Sequence, residues 1–500
     1  MKYILTNAQM READRFTIQS PGTPSLTLME RAGEALAAEA EKMCPEGEIV
    51  FVCGGGNNGG DGFVAARLLL KKGREIIAVC VADRFTEECR KNRAAFEKAG
   101  GEVFSVFPRR RFSLAVDCLF GTGFHGELGG KDAAAADYIN AAADKVLAAD
   151  IPSGVSGDGG IACGHAVKAD KTLCIGEYKA GVLLGDGPEY AGELVRADIG
   201  ISLPGPQASY AFLSGREETA ALLPPRRRNT HKGTYGKAAI VAGSEVYTGA
   251  AALATMAALR SGCGYTALFL PRDILPHYLL KFPEALIAPI SDGGRVAFTE
   301  KNFEKLLSFD SIAFGMGTGI SEDVFSAVQF LLREYTGRLI LDADALNSLA
   351  KYGKGRMGEI FEEKKCDVLL TPHVREFSRL TGESVKDILH KGLDAPREFA
   401  GKFGVSVLLK GASTVIACPT GTAVTLTGTP GQAKGGSGDV LSGLIAGLCA
   451  QGLSAFDGGR AGAWLAGKAA EAAAEETGEY SLTATDEILY LSEAFLSLRE

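Results

Sequence analysis

Short apolar runs alternate with amphipathic stretches along nearly the whole chain. Residues 48–53, 76–81, 114–118 and 146–151 read as buried strands. Between them, residues 63–72 and 86–99 carry apolar and charged side chains at helical spacing. The alanine-rich stretch 133–149 is broken by Asp137, Asn140, Asp144 and Lys145, and reads as a helix leading into a strand. The alternation restarts after a Pro- and Arg-rich segment, LLPPRRRN at 222–229. Strand candidates there are 237–242, 265–270, 311–314, 338–341, 368–370, 407–409 and 415–417. Helical stretches include 248–260, 440–448 and 459–475. Short apolar strands separated by helices predict parallel sheets covered on both faces. The pattern therefore predicts two α/β domains: a Rossmann-like parallel-sheet domain and a second, larger α/β domain. The boundary is expected near residues 213–218, dividing 1–213 from 214–500. The three arginines 226–228 read first as a solvated turn. The minority reading places them near a phosphate or a subunit contact.

Composition narrows this picture little. The chain has 500 residues, 46% hydrophobic and 23% charged, an ordinary globular balance. A net charge of −8 disfavours nucleic acid or an anionic membrane as main partner. The 11 cysteines form no CxxC pair and no zinc-type spacing, which points to a reducing, cytoplasmic setting. The first residues carry no long apolar stretch, so no secretory signal is expected. No run reaches the roughly 18 apolar residues of a membrane span.

Chemistry concentrates at strand ends. GGGNNGGDG at 54–62 follows the first strand, and KGGSGD at 434–439 runs into a helix. Glycine permits close backbone approach, and a helix start offers free N–H groups to an anion. The first loop is neither GxGxxG nor a Walker loop. Asn57, Asn58 and Asp61 add amide and carboxylate oxygens to it. Asp117 and Asp150 end two strands, where ligands of such sheets bind. Either could instead cap a helix. In the second half, Gly317, the carboxylates Asp342 and Asp344, His373, and Lys410 to Thr414 follow successive strands. Asp439 begins the last glycine loop's helix. Singly, His373 reads as a satisfied histidine, Lys410 as a surface lysine and Asp439 as an N-cap.

GGGNNGGDG, VDCLFGTGF at 116–124 and ADIPSG at 149–154 together resemble the NAD(P)H-hydrate epimerase domain, with Thr6 to Asp14 and YKAG at 178–181 as flanking segments. The resemblance implies a potassium ion held by Asn58, Asp117 and Ser153. It implies hydrate contacts at Asn57, Asn58, Gly59, Gly60 and Asp61, at Gly121, Thr122, Gly123, Phe124, His125, Gly126 and Glu127, and at Asp150, the candidate acid/base. The second half, above all KGGSGDVLSGLIAG at 434–447, resembles the ADP/ATP-dependent NAD(P)H-hydrate dehydratase domain, which is ribokinase-like. This implies hydrate contacts at Ala250, Gly317, His373 and Asp439. It implies nucleotide contacts at Lys410, Gly411, Ala412, Ser413, Thr414 and Gly438. Met316-Gly317-Thr318 and Val374-Arg375 depart from the family's usual Pro-Gly-Leu and Pro-Gly. Asp439 would be the catalytic base, with Mg2+ on the phosphates and ADP as co-substrate. The expected partners are small molecules, NADHX, NADPHX and ADP, with no nucleic acid and no membrane, in a homo-oligomer. Two other classes stay open: a kinase of a small alcohol, and a non-catalytic nucleotide sensor.

Overall fold

The structure is a computed structural model describing residues 2–20, 22–124 and 126–499. It divides into two compact units, Met1–Ala211 with Leu389–Leu393, and Phe212–Ile388 with Asp394–Glu500.

The first unit is built on a seven-stranded sheet. Its order is Glu102–Phe104, Ile76–Cys80, Ile49–Cys53, Phe112–Cys118, Ala143–Ala149, Lys171–Ile175, Glu193–Ala197. Every neighbouring pair is parallel. Side chains alternate across a strand. Ile49, Phe51 and Cys53 accordingly enter one core, while Val50 and Val52 enter the core on the other face. Strand order reverses between Ile49–Cys53 and Phe112–Cys118. The crevice at such a reversal, at the carboxyl ends of the strands, is where ligands of these sheets bind. A separate parallel pair, Tyr3–Leu5 with Tyr178–Lys179, sets Leu5 beside Lys179. Thr6 then starts the helix Asn7–Gln19 with a reciprocal cap to Gln9.

The glycine-rich segment differs from the sequence reading. Its helix begins at Asn57 and runs to Lys71, not from residue 63. Gly59, Gly60 and Gly62 are therefore helical, and only residues 54–56 remain a loop. Their task is close packing. A Cβ on Gly59 would lie 2.0 Å from the Gly54 carbonyl oxygen, one on Gly60 2.6 Å from Met29 Sδ, and one on Gly62 2.7 Å from Cys118 Sγ. The sequence reading also passed over the strand Lys171–Ile175. That strand opens on a buried lysine, whose ammonium meets Glu39 at 2.8 Å and Glu193 at 3.1 Å.

In the second unit the strands run in the order Leu286–Ser291, Tyr265–Pro271, Lys237–Val241, Ser311–Phe314, Arg338–Leu341, Asp367–Leu370, Ser406–Leu409, Thr414–Cys418, Gly421–Thr425. The last two pairings are antiparallel and the others parallel. Two edge-side strands, Leu286–Ser291 and Gly421–Thr425, and the helix Ala484–Ser497 were not read from sequence. The order reverses between Lys237–Val241 and Ser311–Phe314. One face is covered by the helices Thr248–Arg260 and Ser437–Ala450, which pack on each other. Gly443 makes this contact possible, since a Cβ there would lie 2.0 Å from the Ala254 carbonyl oxygen. Because that obstacle is backbone, the helices must separate to admit a methyl group. Gly443→Ala is expected to destabilise the second unit by about 1–3 kcal/mol. Gly401→Ala, in the helix Asp394–Phe403 with nothing within 4 Å of its Cβ, is expected to stabilise by about 0.4–1 kcal/mol. Denaturant midpoints of the two variants, moving in opposite directions, are the check.

Candidate active sites

In the first unit, Asp117 sits one residue from the end of its strand and is fully buried. Its carboxylate accepts from Ser153 N at 2.7 Å, Ser153 Oγ at 2.8 Å and Leu119 N at 3.1 Å. Burial pushes its pKa up to about 6, and these hydrogen bonds hold it from rising further. Asn58 donates through Nδ2 to the Phe120 carbonyl at 2.7 Å and the Ala149 carbonyl at 3.0 Å. It thereby ties together the loops leaving two strands. Its Oδ1 is buried and lacks any hydrogen-bond partner. A buried carbonyl oxygen left unpaired is costly.

Asp150 has φ +73°, in the left-handed region that non-glycine residues rarely enter. Such strain persists only where the surroundings impose it. Three bonds do so: its N–H donates to the Leu173 carbonyl, Ile175 N donates to its carboxylate, and Lys179 pairs with it. Lys179 is 1% exposed, and its ammonium also donates to the Ile175 carbonyl. A buried ammonium requires such partners.

Asn58, Asp150 and Lys179 meet at a cleft of about 510 Å³. Asn57, Asn58, Asp61, Gly121, Thr122, Gly123 and Asp150 line it, as do Asp14 and Lys179. Of the other expected contacts, Asp117 and Ser153 are buried and do not line it. Nor do Gly59, Gly60, Gly126 and Glu127, while Phe124 packs against Phe120. His125 lies outside the described residues. Sequence reasoning gave Asp14 and Lys179 no role beyond their flanking motifs. The strand pairing of Leu5 with Lys179 is what brings them to the site. Burial pushes Asp14 up to about 6, with Lys179 opposing and Asp150 adding to the rise. Burial, then Asp150 and Asp14, holds Asp61 well above the carboxylate range. Three carboxylates thus share one ammonium.

In the second unit, Asp342 and Ala343 form a tight strand-to-helix turn in which Ala343 has φ +47°. The Asp342 carboxylate accepts from Lys410 Nζ at 2.9 Å and from Ser442 Oγ at 2.7 Å. Burial works to lower the Lys410 pKa, but Asp342 and Glu376 leave it raised. Gly438 is close to both members of this pair: a Cβ there would lie 3.4 Å from Lys410 Nζ. Asp439, in the first turn of Ser437–Ala450, is pushed up to about 7 by burial and by Asp342, with Lys410 opposing. It is the third helical residue, not the N-cap; that position belongs to Gly436 at φ +108°. His373 is an N-cap: its Nδ1 accepts from Arg375 N and Glu376 N. A neutral ring with Nδ1 accepting carries its proton on Nε2, and burial does lower its pKa. A parallel bridge joins His373 to Lys410. Gly411 to Ser413 form the hairpin turn before Thr414–Cys418. Gly317, at φ +67°, abuts Ala250, 3.1 Å from its would-be Cβ. Glu487, on the C-terminal helix, accepts from Ser437 Oγ at 2.5 Å and anchors the glycine loop. No sequence signal near the loop pointed to it.

Two α/β units on largely parallel sheets, each gathering charged side chains at the carboxyl ends of its strands, define a two-site enzyme of small-molecule chemistry. The sequence model described as NAD(P)H-hydrate dehydratase matches residues 238–491, and that described as YjeF-related protein N-terminus matches 25–181. The bifunctional NAD(P)H-hydrate repair enzyme of Thermofilum pendens is 38% identical, over 99% of this chain and 96% of its own. That of Moorella thermoacetica is 34% identical, over 100% of this chain and 97% of its own. A crystal structure of the ADP/ATP-dependent NAD(P)H-hydrate dehydratase from Bacillus subtilis, co-crystallised with ATP and Mg2+, is 31% identical and superposes with a TM-score of 0.50. It covers 58% of this chain and 99% of its own. The chain belongs to the family of bifunctional NAD(P)H-hydrate repair enzymes. No helix among the described residues is long and apolar enough to cross a membrane.

The charge sharing in the first cleft has a direct test. Lys179→Met removes the positive charge that restrains Asp14, so the Asp14 titration is expected to move above its value of about 6. Carboxyl-carbon NMR reads it; a fall would show that Lys179 is not the counter-charge.

Proposed function

We propose that residues 1–213 interconvert the R and S forms of hydrated NADH and NADPH, and that residues 214–500 dehydrate the S form, consuming ADP and releasing AMP and phosphate. The observation that carries the second activity is Asp439, a raised carboxylate at a helix start beside the Lys410–Asp342 pair. With Val440 N bonded to the Gly436 carbonyl, the preceding N–H groups of this helix are free for an anion. Asp439 accepts the proton of the hydrate's hydroxyl. The hydroxyl oxygen then bonds to the β-phosphorus of ADP, and AMP departs. Loss of the phosphate with its C–O bond pair, and of a proton from the adjacent ring carbon, restores the double bond. Lys410 supplies positive charge next to the transferring group, and His373 Nε2–H can donate to the hydrate. The nucleotide assignment also draws on the Bacillus subtilis relative, named for ADP/ATP and crystallised with ATP and Mg2+. Among the described residues no three His, Cys, Asp or Glu side chains converge; magnesium would be carried on the nucleotide's phosphates, in keeping with the relative crystallised with ATP and Mg2+.

In the first unit, Asp150 takes the proton of the hydroxyl at the carbon being inverted as that carbon's bond to the ring nitrogen breaks to leave an aldehyde and the nitrogen is protonated; reversal of these steps on the other face gives the other epimer. Lys179 fixes its carboxylate, and Asp61 and Asp14, both raised, can hold protons nearby. The donor set suits potassium: the unpartnered Asn58 Oδ1, the Asp117 carboxylate and Ser153 Oγ. A bound potassium ion would supply a fixed positive charge that helps orient the hydrate.

The experiment is recovery of reduced-nicotinamide absorbance from an R/S mixture of NADHX with potassium and magnesium, with and without ADP. Full, ADP-dependent recovery is expected. Asp150→Ala is expected to stop at the S fraction plus slow spontaneous epimerisation. Asp439→Asn is expected to abolish recovery while epimerisation continues. No recovery with either ADP or ATP would overturn the dehydratase reading in favour of a small-alcohol kinase.

The base role fixes the pH dependence. Asp439 must be ionised to accept a proton, so dehydration is expected to rise with pH through about 7. Lys410 lowers that value, so Lys410→Met should move the rising limb to higher pH as well as slow the reaction. A pH–rate profile whose limb stays in place would remove Lys410 from the charge balance of Asp439.

A further inference from the structure

The second unit holds another cavity, of about 610 Å³, lined at the ends of Thr248–Arg260 and Ser437–Ala450 opposite to Ala250 and Asp439. Its walls carry Arg226, Arg260 and Arg499, with Leu223, Leu448 and Phe495 supplying apolar surface. No carboxylate lines it among the described residues. In a chain of net charge −8, a cavity of this composition is not an average piece of surface.

Arg226 is the built part. Its Nη2 donates to the Gly262 carbonyl at 2.7 Å and to Gln451 Oε1 at 2.5 Å. Its guanidinium lies over the Tyr235 ring, 3.9 Å from the centroid. Gln451 is itself anchored, donating to the Ser261 carbonyl at 3.1 Å and the Gly447 carbonyl at 2.8 Å. Gly262 lies close under this guanidinium. It has φ +87°, and a Cβ there would lie 2.1 Å from Arg226 Nη2. Every partner of this guanidinium is therefore neutral. They fix its plane and leave its charge uncompensated by any carboxylate. Arg260 and Arg499 make no ion pair among the described residues. Arg260 lies in a helix's last turn, where a cation suits the carbonyl end. That accounts for one arginine and not for the convergence of three.

We propose that this cavity binds a phosphate ester carried on a flat, largely apolar ring. Guanidinium forks match phosphate oxygens, and the leucines and Phe495 offer an apolar surface to the ring. The volume is that of a small-molecule site. It is separate from the proposed dehydratase site and does not depend on that reading.

The test is arginine modification of the full-length protein by phenylglyoxal, read residue by residue by mass spectrometry. AMP is the probe, adenosine its uncharged counterpart, and Arg333 the internal reference. AMP is expected to slow modification of Arg260 and Arg499 severalfold and to leave Arg333 unchanged. Adenosine is expected to have no effect. Calorimetry on the Arg260→Ala/Arg499→Ala double variant is expected to lose one AMP site, with dehydration turnover retained. Three results would overturn the proposal: no protection by AMP, equal protection by adenosine, or protection without any ligand that vanishes on dilution. The last would mean that a second copy of the chain covers the cavity.

Discussion

Each half of this chain is organised around an ammonium group drawn into the protein, Lys179 fully and Lys410 in large part. Lys179 in the first unit and Lys410 in the second lie at the carboxyl ends of parallel strands, each against an aspartate. An unpaired charge there would be prohibitive, so the partner's position is constrained as tightly as the lysine's. Asp150 adopts a left-handed backbone to meet Lys179, and the residue after Asp342 does the same in the turn that presents Asp342 to Lys410. The other acids of each site then respond to the pair. Asp14 is restrained by Lys179 and Asp439 by Lys410, while the paired aspartates Asp150 and Asp342 raise them. Burial raises the proton affinity of each cluster first, and the ion pair fixes its geometry and adjusts that affinity.

The sheet explains why these pairs form where they do. Both faces of each parallel sheet are apolar, so polar side chains are confined to strand ends. The reversal of strand order opens the only crevice that architecture provides for free. Asn58, Asp117, Asp150 and Ser153 could be read from sequence for this reason, since each sits beside an apolar run that ends abruptly. Lys410, Gly438 and Asp439 were legible in the same way. Their mutual contact was not, because 28 positions separate Lys410 from Gly438 and only the sheet returns them to one end.

What the sequence hid has physical causes. Lys179 ends a two-residue strand, and nothing local reveals that Leu5 pairs with it or that the Asn7–Gln19 helix brings Asp14 to the cleft. Strand Lys171–Ile175 begins with a lysine, which reads as surface until Glu39 and Glu193 are placed around it. In the sequence the glycines after residue 56 suggest a ligand loop, because glycine serves two ends: free backbone and absent Cβ. Here Gly59, Gly60 and Gly62 use the second, letting a helix approach Gly54, Met29 and Cys118. Gly54 and Gly55 use it too, since a Cβ there would lie 2.2 Å from the Leu119 carbonyl oxygen and 1.8 Å from that of Arg84. Glu487 lies 50 positions from Ser437, the hydroxyl it holds, and no pattern spans that distance.

The sites are held against the stability of the fold. A carboxylate whose folded pKa exceeds its unfolded value keeps a proton that the unfolded chain has already released. Between those two values, stability therefore falls as pH rises, and above both the loss is complete. Asp14 and Asp117, at about 6, and Asp439, at about 7, all stand above the ordinary 3.8. Near neutrality each is thus a net cost that the cores must offset. Simple mutation to asparagine would relieve part of that cost, yet it would also remove the one state, an ionised carboxylate among its own kind, that can take a proton from a hydroxyl. The same crowding that weakens the fold is what brings Asp439 into the range where a general base works at neutral pH.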